Sequence, residues 1–359
     1  MSELQIAERR IGSGQPVYII AELSANHQQR FERAVELIEA AKAAGADAVK
    51  CQTYTPDTLT LKSDQPWFRI AGGTLWDGCT LHELYRRAYM PWEWQADLKV
   101  RAERLGLTWF STAYDRTAVE FLEGLDVPAY KVASFELTDT PFIEAVARTG
   151  KPVILSTGMA TLAEIEEAVQ AVRRIGTTQV ALLKCTSAYP APPSEMNLRA
   201  IPHLAQTFNV PVGLSDHTLG TSVAVAAVAL RACIIEKHLA LSRKLPGPDA
   251  AFSLEPHEFK EMVHAVRQVE QAMGQPEHTR GEEEAKSLIF RRSLFVVRDV
   301  KAGEAFTEQN VRSIRPAHGL PPRYLPDVLG RLAARDIVSG TPLSWDLMLE
   351  PTPVLRRVA

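Results

Sequence analysis

Eight times along the 359-residue chain a short apolar run ends in polar, chemically capable residues, and each run leads into a helical stretch. The run ends read AELSANH (21–27), KCQTY (50–54), FSTAYD (110–115), KVASFE (131–136), LSTGM (155–159), KCTSAY (184–189), LSDHT (214–218) and EKHLA (236–240). Val, Ile, Leu and Ala fill these runs without strict alternation, as parallel strands buried on both faces require. Eight strand–helix units predict closure into a (β/α)₈ TIM barrel, an α/β fold whose active sites gather at the C-terminal ends of the strands. The alternative, a doubly wound open sheet, usually carries a glycine-rich phosphate turn after its first strand. AELSANH has no glycine.

Local signals agree. In the first unit FERAVELIEAAKAAG reads as a helix with Phe31, Val35 and Ile38 on one face and Gly45 as its stop. Residues 256–274 complete the eighth unit. One insertion, at about 55–92, is far longer than an ordinary connection and carries Trp67, Trp76, Asp77 and Tyr85; a loop of this length predicts a lid or binding loop. After about 275 the composition turns polar (QPEHTRGEEEAKS), and short strand-like runs with a KAGE turn follow. The expected organisation is a catalytic barrel over 1–274, a linker over 275–290 and a small domain over 291–359.

A formal net charge of −3 excludes a general nucleic-acid or membrane-surface binder. Four cysteines without CxxC spacing, three of them in predicted strands, fit a reducing cytoplasm. The amino-terminal MSELQIAERRIGSGQP has no apolar core and is not read as a signal peptide. The longest apolar stretch, Val223 to Ile235, is broken by Arg231 and too short to span a membrane.

The strand ends carry the chemistry. Lys50, Lys131, Lys184 and Lys237 all lie there. One could be a Schiff-base nucleophile, or several could hold a phosphorylated anion, or individual lysines could turn outward and pair with carboxylates. Ammonium groups brought together repel by ~4 kcal/mol per close pair at an intermediate dielectric, so an anionic ligand explains a cluster best. Ser134, Ser156, Thr157, Ser187 and Ser215 add the short hydroxyl donors that phosphate and carboxylate oxygens need. His217 and His238 end adjacent strands, where they could share a divalent metal or bond within the site. Glu22 and Glu136 are the carboxylates best placed for proton transfer; between ammonium groups their pKa values should be pulled down.

IIAELSANH, AGADAVKCQTY, PAYKVASFE, KPVILSTGM, LLKCTSAYPAPPSEMNL, VGLSDHT, EKHLAL and LPGPDAAFS, in this order, resemble the blocks of the sialic acid synthase family. The tail from about 291 resembles the small antifreeze-like (SAF) domain joined to those enzymes. GGTLWDGCTLHELYRRAYMPWEWQ, with KCTSAYPAPP, is similar to the branch that takes a 2,4-diacetamido-2,4,6-trideoxy sugar. N-acetylneuraminate and legionaminate synthases are the alternatives, with a Schiff-base aldolase or a non-catalytic glycan-binding protein further off.

The resemblance implies a transferase that condenses phosphoenolpyruvate with an N-acetylated amino sugar, using Mn²⁺ or Mg²⁺. It implies that Lys50, Lys131, Ser134, Ser156 and Ser215 hold phosphoenolpyruvate. His217 and His238 would hold the metal, and Gln52, Glu136, Tyr189 and Asp249 would contact the sugar. Arg315, in the SIRP segment, would reach a partner subunit's site in a domain-swapped homodimer. Where the N-acetylneuraminate enzymes carry asparagine, in a block resembling CTNIYP, this chain has Ser187. That difference weakens a neuraminate assignment.

Overall fold

A computed structural model describes residues 3–274 and 279–350, which fall into two compact units, Met1–Gly274 and Gln275–Ala359. In the first, eight parallel strands close into a barrel. They are β1 (Tyr18–Glu22), β2 (Ala48–Thr53), β3 (Thr108–Ala113), β4 (Tyr130–Val132), β5 (Val153–Ser156), β6 (Val180–Cys185), β7 (Val212–Asp216) and β8 (Ile234–His238). Strand β8 pairs with β1 to shut the cylinder, with His238 opposite Glu22. The helices around it are α1 (Phe31–Ala44), α2 (Leu81–Ala88), α3 (Trp92–Arg104), α4 (Arg116–Gly124), α5 (Thr140–Ala147), α6 (Leu162–Arg174), α7 (Ala200–Phe208), α8 (Ser222–Ala229) and α9 (Pro256–Ala272). The TIM barrel expected from the eightfold pattern is the fold observed.

Alternation along each strand sorts its side chains. One set, with Ile19, Val49, Trp109, Tyr130, Leu155, Leu182, Leu214 and Ile235, packs outward under the helices. The other, with Tyr18, Ile20, Ala48, Phe110, Ile154, Ala181, Leu183 and Ile234, fills the barrel's interior. Leu4, Ile6 and Ile11 belong to that inner cluster. They come from an amino-terminal hairpin, Leu4–Ile6 paired with Arg9–Ile11, which plugs the lower end. The apolar interior therefore stops one layer short of the C-terminal rim, where the next inward positions are polar.

Helix α1 ends at Gly45, whose φ of 90° suits glycine far better than any residue with a Cβ. Its buried stripe is Ala34, Leu37, Ile38 and Ala41. Phe31 and Val35, expected on that face with Ile38, are only partly buried and pack against the core from its margin.

The second unit builds its own core from Leu294, Val296, Val300, Phe306, Val311, Val328, Ile337 and Leu343. Two antiparallel strands, β9 (Ser293–Val296) and β10 (Val311–Ile314), run through it. The KAGE segment turns as expected, with the Glu304 amide donating to the Lys301 carbonyl at 2.9 Å. Of the expected linker, 275–278 lie outside the described residues. The remainder is not plain coil: a short helix spans Glu282–Lys286 and a 3₁₀ turn Ser287–Phe290.

Candidate active site

The polar layer lines a cavity of about 440 Å³ at the C-terminal rim of the barrel. Its floor is ionic. Lys50 Nζ lies 2.5 Å from Glu22 Oε2 and 3.6 Å from Glu236 Oε1, and donates to Thr112 Oγ1 at 2.9 Å. Glu22 Oε1 accepts from Gln52 Nε2 at 3.0 Å and from the Ser24 amide at 3.1 Å. Ser215 Oγ donates to Glu236 Oε1 at 3.1 Å. Lys131 is 2% exposed, yet its Nζ has only the Val132 carbonyl, at 3.1 Å, as a hydrogen-bond partner among the described residues.

Of the residues singled out from sequence, the cavity gathers Glu22, Lys50, Gln52, Lys131, Ser134, Glu136, Ser156, Tyr189, Ser215, His217, His238 and Asp249. Four others, Ser187, Lys184, Lys237 and Arg315, lie outside it. Ser187 does not line the cavity; it packs behind Ser134, and any side chain at Gly158 would collide with both. The Gly158 amide instead donates to Ser134 Oγ at 3.1 Å. Lys184 and Lys237 do not join the lysine cluster either, because they occupy the alternate strand positions and face away from the interior. Lys237 is fully buried against Asp216, 2.7 Å away, and Lys184 Nζ donates to the Cys185 carbonyl and Thr186 Oγ1. Arg315 lies in the second unit, exposed, just beyond β10.

Burial overturns the expected direction for both carboxylates. Desolvation raises Glu22 to about 7 in spite of Lys50. It raises Glu136 to about 7 in spite of Lys131, and Glu136 Oε2 is buried without a hydrogen-bond partner among the described residues. Taking a carboxylate out of water costs more here than a neighbouring ammonium returns. Glu236 goes the other way: burial opposes its charge, but Lys131, Lys50 and His217 outweigh it and its pKa is lowered.

His217 and His238 stand with ring centroids 5.3 Å apart. His217 Nδ1 lies 3.0 Å from the Thr186 carbonyl, which can only accept, so Nδ1 carries a proton, and Nε2 has a lone pair only when the ring is neutral. His238 Nδ1 is buried with no hydrogen-bond partner among the described residues. Phe252 packs on the His238 ring at 4.9 Å, and Tyr189 on His217 at 4.5 Å. Cys185 Sγ lies 3.8 Å from His217 Nδ1; burial raises its pKa, but the imidazole more than offsets this and leaves it at about 7.

Glu236, Cys185, Thr112, Tyr54 and Tyr114 are cavity residues that sequence reasoning passed over. The signal for Glu236 was present, since a residue two before His238 on one strand must share its face.

The long insertion forms the remaining wall. Its α2 starts at Thr80, where a capping box pairs the Thr80 hydroxyl with the Glu83 amide and the Glu83 carboxylate with the Thr80 amide. Trp76 Nε1 donates to the Pro248 carbonyl at 3.0 Å, and Gln29 Nε2 to the Arg86 carbonyl at 2.9 Å. The excursion is thus tied to the loops after β8 and β1. Asp77 folds its base, accepting from the Thr74 hydroxyl and from the Gly73, Gly72 and Thr74 amides; these bonds hold its carboxyl well below the usual range.

A closed barrel with ionizable groups gathered at its C-terminal rim has the architecture of an enzyme. Residues 37–278 match the model of the NeuB family and residues 291–348 that of the SAF domain. The chain belongs to the NeuB family. A pseudaminic acid synthase of Campylobacter jejuni is 46% identical over 327 residues, 91% of this chain and 95% of that protein. One from Helicobacter pylori is 45% identical over 333 residues, 92% of this chain and 98% of that protein. Among solved structures, the N-acetylneuraminic acid (sialic acid) synthetase of Leptospira borgpetersenii, in complex with citrate, is 30% identical. It superposes with a TM-score of 0.72 over 80% of this chain and 95% of that one.

Proposed function

We propose that this enzyme is a pseudaminic acid synthase. It condenses phosphoenolpyruvate with 2,4-diacetamido-2,4,6-trideoxy-L-altrose to give pseudaminic acid and inorganic phosphate. The observation that carries the reading is the convergence of Lys50 and Lys131 with Ser134, Ser156 and Ser215 on one cavity, beside a histidine pair, in a chain 45–46% identical to such synthases.

In this reading Lys131, whose ammonium has one backbone partner, and Lys50 neutralise the anionic groups of phosphoenolpyruvate, while the serine hydroxyls donate to its oxygens. Gln52, Tyr189 and Asp249 hold the sugar with its aldehyde carbon against C3 of the enol, which makes the encounter effectively intramolecular. The C3–C1 bond forms, water adds at C2, and the tetrahedral adduct loses phosphate by breaking its C–O bond. Glu136, with a pKa near neutrality and an unpartnered oxygen, is the group that moves a proton beside the reacting atoms. Glu22 holds Lys50 and Gln52 in place.

The histidine pair fits a divalent ion. With both rings neutral, His217, whose Nδ1 is engaged by the Thr186 carbonyl, and His238, whose Nδ1 has no hydrogen-bond partner among the described residues, would each supply a lone pair to such an ion. Among the described residues no three or more His, Cys, Asp or Glu side chains converge as a metal cage, so water and substrate would complete the coordination. When bound there, Mn²⁺ or Mg²⁺ supplies Lewis acidity to the aldehyde oxygen.

The reading extends to a cytoplasmic homodimer in which Arg315 serves the partner's cavity. Four free cysteines suit a reducing compartment, and no helix among the described residues is long and apolar enough to cross a membrane. The deciding assay is phosphate release from phosphoenolpyruvate with the diacetamido trideoxy sugar and, separately, with N-acetylmannosamine. Turnover with the first well above the second is expected; the reverse order overturns the assignment.

A further inference from the structure

Helix α2 has an unusual allegiance. Leu81, Leu84, Tyr85 and Ala88 fall at i, i+3, i+4 and i+7, the spacing of a single helical face. A surface helix with such a face normally buries it in a core. None of the residues of α2 is buried, and all four of these line the cavity. Leu59 and Ile70, from the same excursion, extend the patch. The cavity is therefore two-sided: ammonium, carboxylate and imidazole groups from the strands below, and, from the excursion above, the alkyl side chains of Leu59, Ile70, Leu81, Leu84 and Ala88 beside the Trp76 and Tyr85 rings.

Those alkyl groups offer neither donor nor acceptor. A hydroxyl pressed against Leu81, Leu84 and Ala88 gives up its water bonds and gains none, whereas a methyl group loses nothing and removes apolar surface from water. The segment is also tied at two points, through Trp76 to Pro248 and through Gln29 to the Arg86 and Tyr89 carbonyls, so the patch is presented as a fixed wall.

We propose that the apolar face of α2, with Leu59 and Ile70, is the specificity subsite for the methyl-bearing end of the sugar acceptor. It selects sugars that end in a methyl group over those that carry a hydroxyl there. The inference rests on the proposed synthase function and adds the residues that choose its substrate.

The test compares kcat/KM, by phosphate release, for the 6-deoxy diacetamido sugar and for the same sugar bearing a 6-hydroxyl. An apolar pocket rejects an added hydroxyl by roughly 10–100-fold, and the unaltered enzyme is expected to fall in that range. Leu84→Asn, and separately Ile70→Thr, should cut the ratio by about tenfold while the KM for phosphoenolpyruvate stays constant. Thermal unfolding midpoints verify that both variants are folded; α2 has no buried residue to disrupt. A ratio unmoved in both variants overturns the subsite but leaves the synthase reading standing. Absence of phosphate release with either sugar overturns the synthase reading, and the subsite with it.

Discussion

Lys237 Nζ sits 2.7 Å from Asp216 Oδ2, both side chains wholly shielded from water, on the outer side of the strand ends whose neighbouring residues are His217 and His238. Asp216 Oδ1 also accepts from the Thr218 amide and hydroxyl, and Lys237 donates to the Thr218 carbonyl. The knot pins both histidine-bearing ends from behind. Removing one member leaves a buried charge without its counter-ion, a loss of about 3–5 kcal/mol. Lys237→Met should therefore lower the urea midpoint strongly. Adding Asp216→Asn, which is neutral yet still accepts from Thr218, should restore part of it. An unchanged midpoint in Lys237→Met would remove the structural role given to the pair.

Lys131→Ala should keep the barrel folded and weaken phosphoenolpyruvate binding by roughly 10–100-fold, the worth of one charge-assisted hydrogen bond. Titration calorimetry reads this directly. Unaltered affinity would mean that the anion lies elsewhere.

Glu136 links activity and stability with opposite signs. Burial lifts its pKa from 4.5 to about 7 in the folded protein. Between those values the folded chain holds a proton that the unfolded chain releases, so stability falls as pH rises through this window and stays reduced above it. Glu136→Gln should raise the melting temperature at about pH 8, by on the order of 2–3 kcal/mol of stability, and much less at about pH 5. The same substitution should slow turnover by about 10²–10⁴-fold. Equal melting shifts at the two pH values would contradict the raised pKa.

Exhaustive chelation should abolish phosphate release, and His238→Ala should weaken Mn²⁺ binding at least about tenfold in calorimetry. Full turnover after metal removal would count against the role given to the histidine pair.

If Arg315 serves the neighbouring subunit, Arg315→Ala and Lys131→Ala proteins should each be impaired alone at limiting phosphoenolpyruvate and regain activity when mixed and allowed to exchange subunits. One protein then supplies an intact cavity and the other an intact arginine. Mixed dimers that stay inactive would dispose of the arrangement.

Much of the barrel was legible because strand and helix periods differ and the alternation repeats eight times. The site was legible in kind and only partly in frame. Lys50 and Lys131 face the cavity, but Lys184 and Lys237 sit on the opposite parity. Counting in twos from His238 would have brought Glu236 in and sent Lys237 out. The carboxylate pKa values were misjudged because sequence lists charged neighbours but not the depth at which they sit. The facing of helix α2 was not legible for another reason. Thr80 and Glu83 have capping-box spacing, yet whether the helix they start turns its leucines to a core or to a cavity depends on the tertiary path of the excursion.

That parity carries a consequence for how such a chain can diverge. Losing or gaining one residue within β8 would exchange His238 for a neighbour and thrust the ion pair behind it into the chamber, so the rim tolerates spelling changes but not shifts of frame. Drift in length is confined to the connections between strands, and there a whole helix could be spliced in above an otherwise unaltered floor.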